Sequence, residues 1–262
     1  MKARLLGFEW DASSSHSRGP ALAPTVVKRL LRSEASSSYS IDLVDMREAI
    51  EDYVIPSLPD DSEMARAQIR ETAEDCFAAG FTPLSIGGDH SVTYPILKAV
   101  AAKYGAVNVL HIDAHPDLYD AYEGDRYSHA CPFARALEDG LIKSLVQVGI
   151  RCWDPHARGV ADKHGVKVLR ADQAGDIPDA IFSGPLYMSI DLDGLDPAFA
   201  PGVSHPEPGG LSTLDVLAMI RRISGPLIGA DIVELNPERD PQMTTARVVV
   251  RLAKELAAKI VG

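Results

Sequence analysis

The chain has 262 residues, 46% of them apolar and 24% charged, with mean hydropathy of -0.03, which is ordinary globular composition and excludes disorder. Its 26 basic against 37 acidic residues give a formal charge of -11, which repels phosphate backbones, excludes nucleic acid as the expected partner and draws cations toward the surface. Cys76, Cys131 and Cys152 are far apart, with no CxxC pair and no even-numbered framework, so a reducing cytoplasmic setting is expected.

Along the chain, the amino-terminal stretch MKARLLGFEWDASSS has one short apolar run broken by Glu9 and Asp11, too short and too charged for a signal peptide. No run reaches the roughly 18 apolar residues of a membrane helix, so no membrane partner is expected. Residues 13–15 and 36–38 are serine runs that read as surface loops, and there is no internal repeat. A helix is predicted after Ser62, closing at Gly80. Five short apolar runs follow, at 82–86, 107–112, 145–150, 186–190 and 226–233, each suited to a strand buried on both faces. Between the last two, 212–222 reads as a helix with Ser212 and Asp215 in capping-box spacing and Gly225 as its end. Residues 244–260 carry Val248, Leu252, Leu256 and Ile260 at four-residue spacing, an amphipathic helix packed on a sheet. Apolar runs alternating with helices mark one α/β domain over 1–262 with a mainly parallel sheet.

In such sheets ligands bind at the carboxyl ends of the strands, so the residues that follow each apolar run carry the argument. Gly87-Gly88-Asp89-His90-Ser91 follows the first, Asp113-Ala114-His115-Pro116-Asp117 the second, Asp191-Leu192-Asp193 the fourth and Glu234 the fifth. Asp113, His115 and Asp117 alternate, which in extended chain puts their side chains on one face about 7 Å apart; Asp191 and Asp193 repeat the spacing. Many carboxylates with two imidazoles and no sulfur suit a hard or borderline cation such as Mn²⁺, with magnesium and nickel open alternatives. His111 is expected to be buried and hydrogen-bonded, and Asp89 to orient a neighbour. Cys131 reads as a small core residue. His16, His156, His164 and His205 read as solvated or structural, and Asp120, Glu123 and Asp125 either as a solvated face or as a lure for a cationic substrate.

In order and spacing, GGDHS, DAHPD and SIDLDGLDP resemble the three signature segments of the ureohydrolase family, which includes arginase, agmatinase, guanidinobutyrase and formimidoylglutamase. The resemblance extends from Arg18-Gly19-Pro20 through Tyr127-Ser128-His129, Val148-Gly149-Ile150-Arg151 and Pro206-Glu207-Pro208-Gly209-Gly210 to Glu234-Leu235-Asn236-Pro237. Residues 113–150 and 187–211 look closest to the agmatinase-like branch that also holds the plant-type arginases.

The resemblance implies a three-layer αβα sandwich around a central, mainly parallel sheet of about eight strands. It also implies two Mn²⁺ per chain: one on His90, Asp113, Asp117 and Asp191, the other on Asp113, His115, Asp191 and Asp193, with Asp113 and Asp191 bridging. Such a pair lowers the pKa of water toward about 7 and so supplies a nucleophile without a serine or cysteine. Glu234 matches the family glutamate that grips the guanidinium, and a carboxylate suits that planar N–H fork. His129 matches the histidine that relays a proton to the departing amine, a task for a group titrating near neutrality. Asp154 resembles a position that holds the substrate's amino group in arginases.

The implied activity is hydrolysis of a small cationic guanidino compound to urea and an amine, with agmatine ahead of arginine and guanidinobutyrate, in a trimer or hexamer. Animal-type arginases carry an asparagine- and serine-containing loop after DxHxD, where this chain has Asp120-Ala121-Tyr122-Glu123-Gly124-Asp125-Arg126-Tyr127; Arg126 remains a candidate partner for a substrate carboxylate. A single-zinc deacetylase on the related fold and a catalytically silent binding subunit are the competing readings. Six ligand positions together with His129 and Glu234 weigh against both.

Overall fold

The computed structural model describes residues 2–34 and 37–262. Its eight strands are β1 (Ala3–Gly7), β2 (Ile50–Val54), β3 (Thr82–Ile86), β4 (Val107–Ile112), β5 (Ile142–Val148), β6 (Lys167–Leu169), β7 (Leu186–Asp191) and β8 (Leu227–Val233). They form one sheet in the order β2-β1-β3-β8-β7-β4-β5-β6, and every pairing is parallel.

The pleat sends alternate residues to opposite faces. Leu110, Ile112, Met188, Ile190 and Ile232 pack with the helices Ala23–Leu31, Thr213–Arg222 and Thr244–Val261. Val109, Tyr187, Ile228 and Val233 pack on the other side with Ser62–Ala78, Thr93–Tyr104 and Pro132–Glu138. Helices thus cover both faces, which is why β3, β7 and β8 are buried throughout and read as mainly apolar runs, with Ser85, Ser189 and Asp231 buried among them. The three-layer sandwich is as expected.

Helix ends follow their caps. Asp61 accepts the amides of Glu63 and Met64 at 3.0 and 2.9 Å and starts the helix that Gly80, at φ +84°, follows. Ser212 and Asp215 form the expected capping box, but that helix ends at Arg222 with Ile223 as its C-cap, before Gly225. In the helix Thr244–Val261, Leu252 and Leu256 are fully buried.

Three strands escaped the sequence reading. β2 carries Glu51 and Asp52 on an edge, β6 has three residues, and β1 precedes any recognisable partner. The run at 145–150 is also displaced: the strand begins at Ile142 and stops at Val148, where Gly149 takes φ +97°. Of the two serine runs, Ser36 lies outside the described residues, and Ser13–Ser15 is no plain surface loop, since Ser13 is buried against Asp89. Among the described residues no helix is long and apolar enough to cross a membrane.

Candidate metal centre and catalytic pocket

The carboxyl ends of the neighbouring strands β3, β8, β7 and β4 deliver His90, Glu234, Asp191 and Asp113 to one edge of the sheet. Gly88 makes this possible: its amide donates to Phe8 O at 2.9 Å, and a Cβ there would lie 1.6 Å from Trp10 O. The loop after β3 therefore crosses directly over the end of β1, and only glycine fits. Asp117 and Glu234 hold φ of 52° and 64°, backbone conformations that non-glycine residues adopt at a cost and that gather at functional sites.

His90 Nδ1 lies 2.9 Å from Asp117 Oδ2 and 3.2 Å from Oδ2 of both Asp113 and Asp191. His115 Nδ1 lies 3.1 Å from Asp193 Oδ2 and 3.5 Å from Asp113 Oδ1. All six residues expected to hold metal are therefore brought together. His90, Asp113, Asp117, Asp191 and Asp193 are buried, with His115 partly exposed. Among the described residues no lysine or arginine pairs with any of these carboxylates; their only ionic neighbours are histidines. So much buried negative charge calls for cations.

The protonation of His90 follows from its far side. Tyr187 OH and Thr93 Oγ1 donate to Asp231 Oδ2 at 2.5 and 2.9 Å, and Ser189 Oγ–H donates to Asp231 Oδ1 at 2.6 Å. With its proton committed, Ser189 Oγ accepts from His90 Nε2–H at 3.0 Å. Nε2 thus carries a proton, and Nδ1 is the ring nitrogen that faces three carboxylates without a well-formed hydrogen bond of its own. A buried ring nitrogen aimed into a cage of carboxylate oxygens holds a cation there, a metal ion or, in competition with it, a proton.

His111 behaves differently. Gln147 Nε2 donates to Pro116 O at 2.6 Å and to His111 Nδ1 at 3.0 Å, so the His111 proton lies on Nε2 and is donated to Asp113 Oδ2 at 2.8 Å. Although His111 falls within a possible ligand cluster with His90, Asp113 and Asp117, both its nitrogens are engaged. Its place is buried and hydrogen-bonded, as expected. Asp89 likewise orients neighbours, accepting the Ser13 and Ser91 amides at 3.0 and 3.1 Å.

The charge balance leaves its mark on the titrations. Burial opposes a charge on His90, but the facing carboxylates of Asp113, Asp117 and Asp191 outweigh it and hold the imidazole well above its usual range. Burial likewise opposes a charge on His115, and Asp193 outweighs it. Asp193 is pushed up to about 6 by burial and by Asp113, and Asp191 is raised further by burial and both neighbouring carboxylates.

Glu234 stands opposite. Its Oε1 accepts the His90 amide at 3.0 Å and faces His129 Nδ1 at 2.9 Å. On the other side of the ring, His129 Nε2 lies 2.9 Å from Ser15 Oγ, a hydroxyl that can accept from Nε2–H while Nδ1–H faces Glu234. Burial lowers the proton affinity of His129, but the Glu234 carboxylate more than compensates, and the net position is about 9.

A cavity of about 390 Å³ opens over these groups. Asp154 lines it near Tyr119 and Trp153; it caps the helix Pro155–His164 by accepting the Ala157 amide at 2.9 Å and also accepts from Tyr119 OH at 2.9 Å. Among the described residues no lysine or arginine lines the cavity. Arg126 pairs instead with Glu138 at 3.0 Å. Asp120, Glu123 and Asp125 are exposed and do not line it.

Among the lining residues not marked in the sequence, two stand beside His129. His205 is partly buried in the cavity wall, its ring centroid 5.6 Å from that of His129 and 6.0 Å from that of His115, which corrects its reading as a bystander. Ser15 reaches His129 from the amino terminus. Neither follows a strand end in the apolar pattern, so no sequence signal marked them. Cys131 is buried as expected.

Comparison with known proteins fits this geometry. The Arginase family profile matches residues 1–258. The chain is 39% identical to arginase 1, mitochondrial, of Arabidopsis thaliana, over 98% of this chain and 80% of that one. It is 34% identical to agmatinase, mitochondrial, of Gallus gallus, over 100% and 82%. The solved arginase from Medicago truncatula superposes with a TM-score of 0.92 at 36% identity, over 99% of this chain and 87% of that one.

Proposed function

The chain belongs to the arginase family of hydrolases, and from that premise we propose that it is a binuclear manganese enzyme that splits a guanidino compound, agmatine first, into urea and an amine. The observation that carries the metal reading is the orphaned His90 Nδ1 facing three buried carboxylates. His90, Asp113, Asp117 and Asp191 would hold one cation and Asp113, His115, Asp191 and Asp193 the other. When bound, such a pair supplies a nucleophilic water at neutral pH.

The remaining work falls to the chain's own groups. Glu234 Oε1 is occupied by the His90 amide and His129, which leaves Oε2 for the guanidinium N–H, fixing the carbon over the metal cage. His129, with its raised proton affinity, carries a proton at neutral pH to the amine nitrogen as the C–N bond breaks. Asp154 receives a positively charged tail at the cavity wall, between Tyr119 and Trp153.

The absence of lysine and arginine from the cavity lining favours an amine-tailed guanidine over a carboxylate-tailed one. Arginine is the second reading: the plant arginase is the more similar relative of the two, at 39% against 34%, and the α-ammonium of arginine would also meet Asp154. One domain over 1–262, in a trimer or hexamer, completes the proposal. A cytoplasmic setting rests on three unpaired cysteines, although the plant and chicken relatives are named mitochondrial.

The test is urea release from manganese-loaded protein given agmatine, arginine or guanidinobutyrate. Agmatine is expected to lead in kcat/KM, and Asp154→Asn to raise its KM by on the order of tenfold with kcat little changed, as loss of a uniform binding contact does. Preference for arginine establishes the second reading. No urea from any of the three contradicts the proposal.

A further inference from the structure

Beside the carboxylate cage lies a second set of donors of different chemistry. One ligand atom each from His115, Cys152 and Glu207 lies within 4.8 Å of the other two. The three come from separate loops, after β4, after β5 and between β7 and the helix Thr213–Arg222. All three residues are partly exposed, so an ion can reach them.

Backbone contacts hold the arrangement. The amides of Arg151 and Cys152 both donate to Ala114 O, at 2.9 and 3.0 Å, which docks Cys152 beside the residue preceding His115. The Arg151 guanidinium donates to Glu207 O through Nε at 3.2 Å and through Nη2, and to Asp193 O at 2.7 Å. Its donors are spent on carbonyls, and the Glu207 carboxylate forms no ion pair or hydrogen bond among the described residues. A thiol, an imidazole and a free carboxylate on three braced loops make an S, N, O set.

We propose that His115, Cys152 and Glu207 form a separate site for a soft divalent cation such as Zn²⁺, which takes His115 from the manganese pair. Thiolate, imidazole and carboxylate with a solvent fourth ligand suit zinc's tetrahedral preference, whereas the all-oxygen-and-imidazole cage beside them suits harder ions. Binding releases the thiol proton to solvent and forms a metal–sulfur bond, with no change of oxidation state. The binding itself stands apart from the proposed activity; the competition for His115 rests on that reading.

The probe is Cd²⁺, whose bond to a thiolate absorbs in the near ultraviolet, added to the manganese-loaded protein while bound manganese is counted. Cys76 and Cys131 are buried, so the absorbance reports Cys152. Wild-type protein is expected to develop the band at one equivalent per chain and to lose manganese in step. Cys152→Ser should abolish the band, and Glu207→Gln should weaken cadmium affinity by on the order of tenfold or more. A band that survives in Cys152→Ser, or an affinity that Glu207→Gln leaves unchanged, overturns the site. A full band with manganese retained overturns the sharing of His115 alone, and the manganese count of untreated protein tests the cage independently.

Discussion

At the scale of single residues, the orientation of His90 depends on groups that never touch a metal. Asp231 accepts hydrogen bonds from Tyr187, Thr93 and Ser189, and Ser189 in turn accepts from His90 Nε2–H. Ser189→Ala would leave the ring without its far partner, free to rotate or to move its proton to Nδ1. Manganese affinity is expected to fall by about 10- to 100-fold with the fold intact, as measured by metal titration alongside circular dichroism; unchanged affinity would show that the carboxylates alone orient the ring. The six expected ligands were legible because each follows an apolar strand or lies within four residues of one that does. Ser189 and Asp231 were not marked, because their significance lies in pairing across β7 and β8, although a buried aspartate in LIGADIV was itself a signal that partners were needed.

The same residues set the pH dependence of metal binding. His90 and His115 are held above the ordinary imidazole range by the surrounding carboxylates, so both carry protons at neutral pH when protons alone compete for the site. A cation must displace them, and affinity therefore tightens as pH rises and weakens as it falls. Calorimetry in buffers of different ionisation enthalpy should register protons released per metal bound. Affinity that is flat across about pH 6 to 8 would mean that the imidazoles are not ligands.

At the scale of elements, the site depends on how closely loops cross strand ends. Gly88 has no room for a Cβ because the backbone of Trp10 occupies that space, and its carbonyl accepts the Glu234 amide at 2.9 Å. Gly88→Ala would push His90 and Glu234 apart together. A loss of about 3 kcal/mol or more in stability is expected, read by thermal unfolding, with metal content falling in parallel; an alanine variant of native stability would contradict the close approach. The GGDH pattern announced a tight turn, but not that β1 lies beneath it. β1, β2 and β6 sit toward the edges of the sheet order, where strands are short or charged and periodicity is weak. The central strands read clearly because burial on both faces makes most positions apolar, the exceptions such as Ser189 and Asp231 being paired with each other.

At the scale of the molecule, a parallel sheet covered on both faces leaves its strand ends as the place where polar groups gather, and neighbouring strands β3, β8, β7 and β4 turn four distant sequence segments into one cluster. The net charge of -11 and a cavity free of lysine and arginine act in the same direction, favouring metal ions and cationic substrates over anions. The cavity wall itself, with His205 and Ser15, was hidden in the sequence because loops from opposite ends of the chain build it.

The most direct test of the account is to count manganese and urea release in the same preparations of wild type and Asp191→Asn, since Asp191 is the proposed bridge between the cations. Wild type should hold two manganese ions per chain and release urea, and the variant should lose both bound metal and turnover. A wild type that saturates with a single ion, or a variant that keeps releasing urea, would contradict the binuclear mechanism.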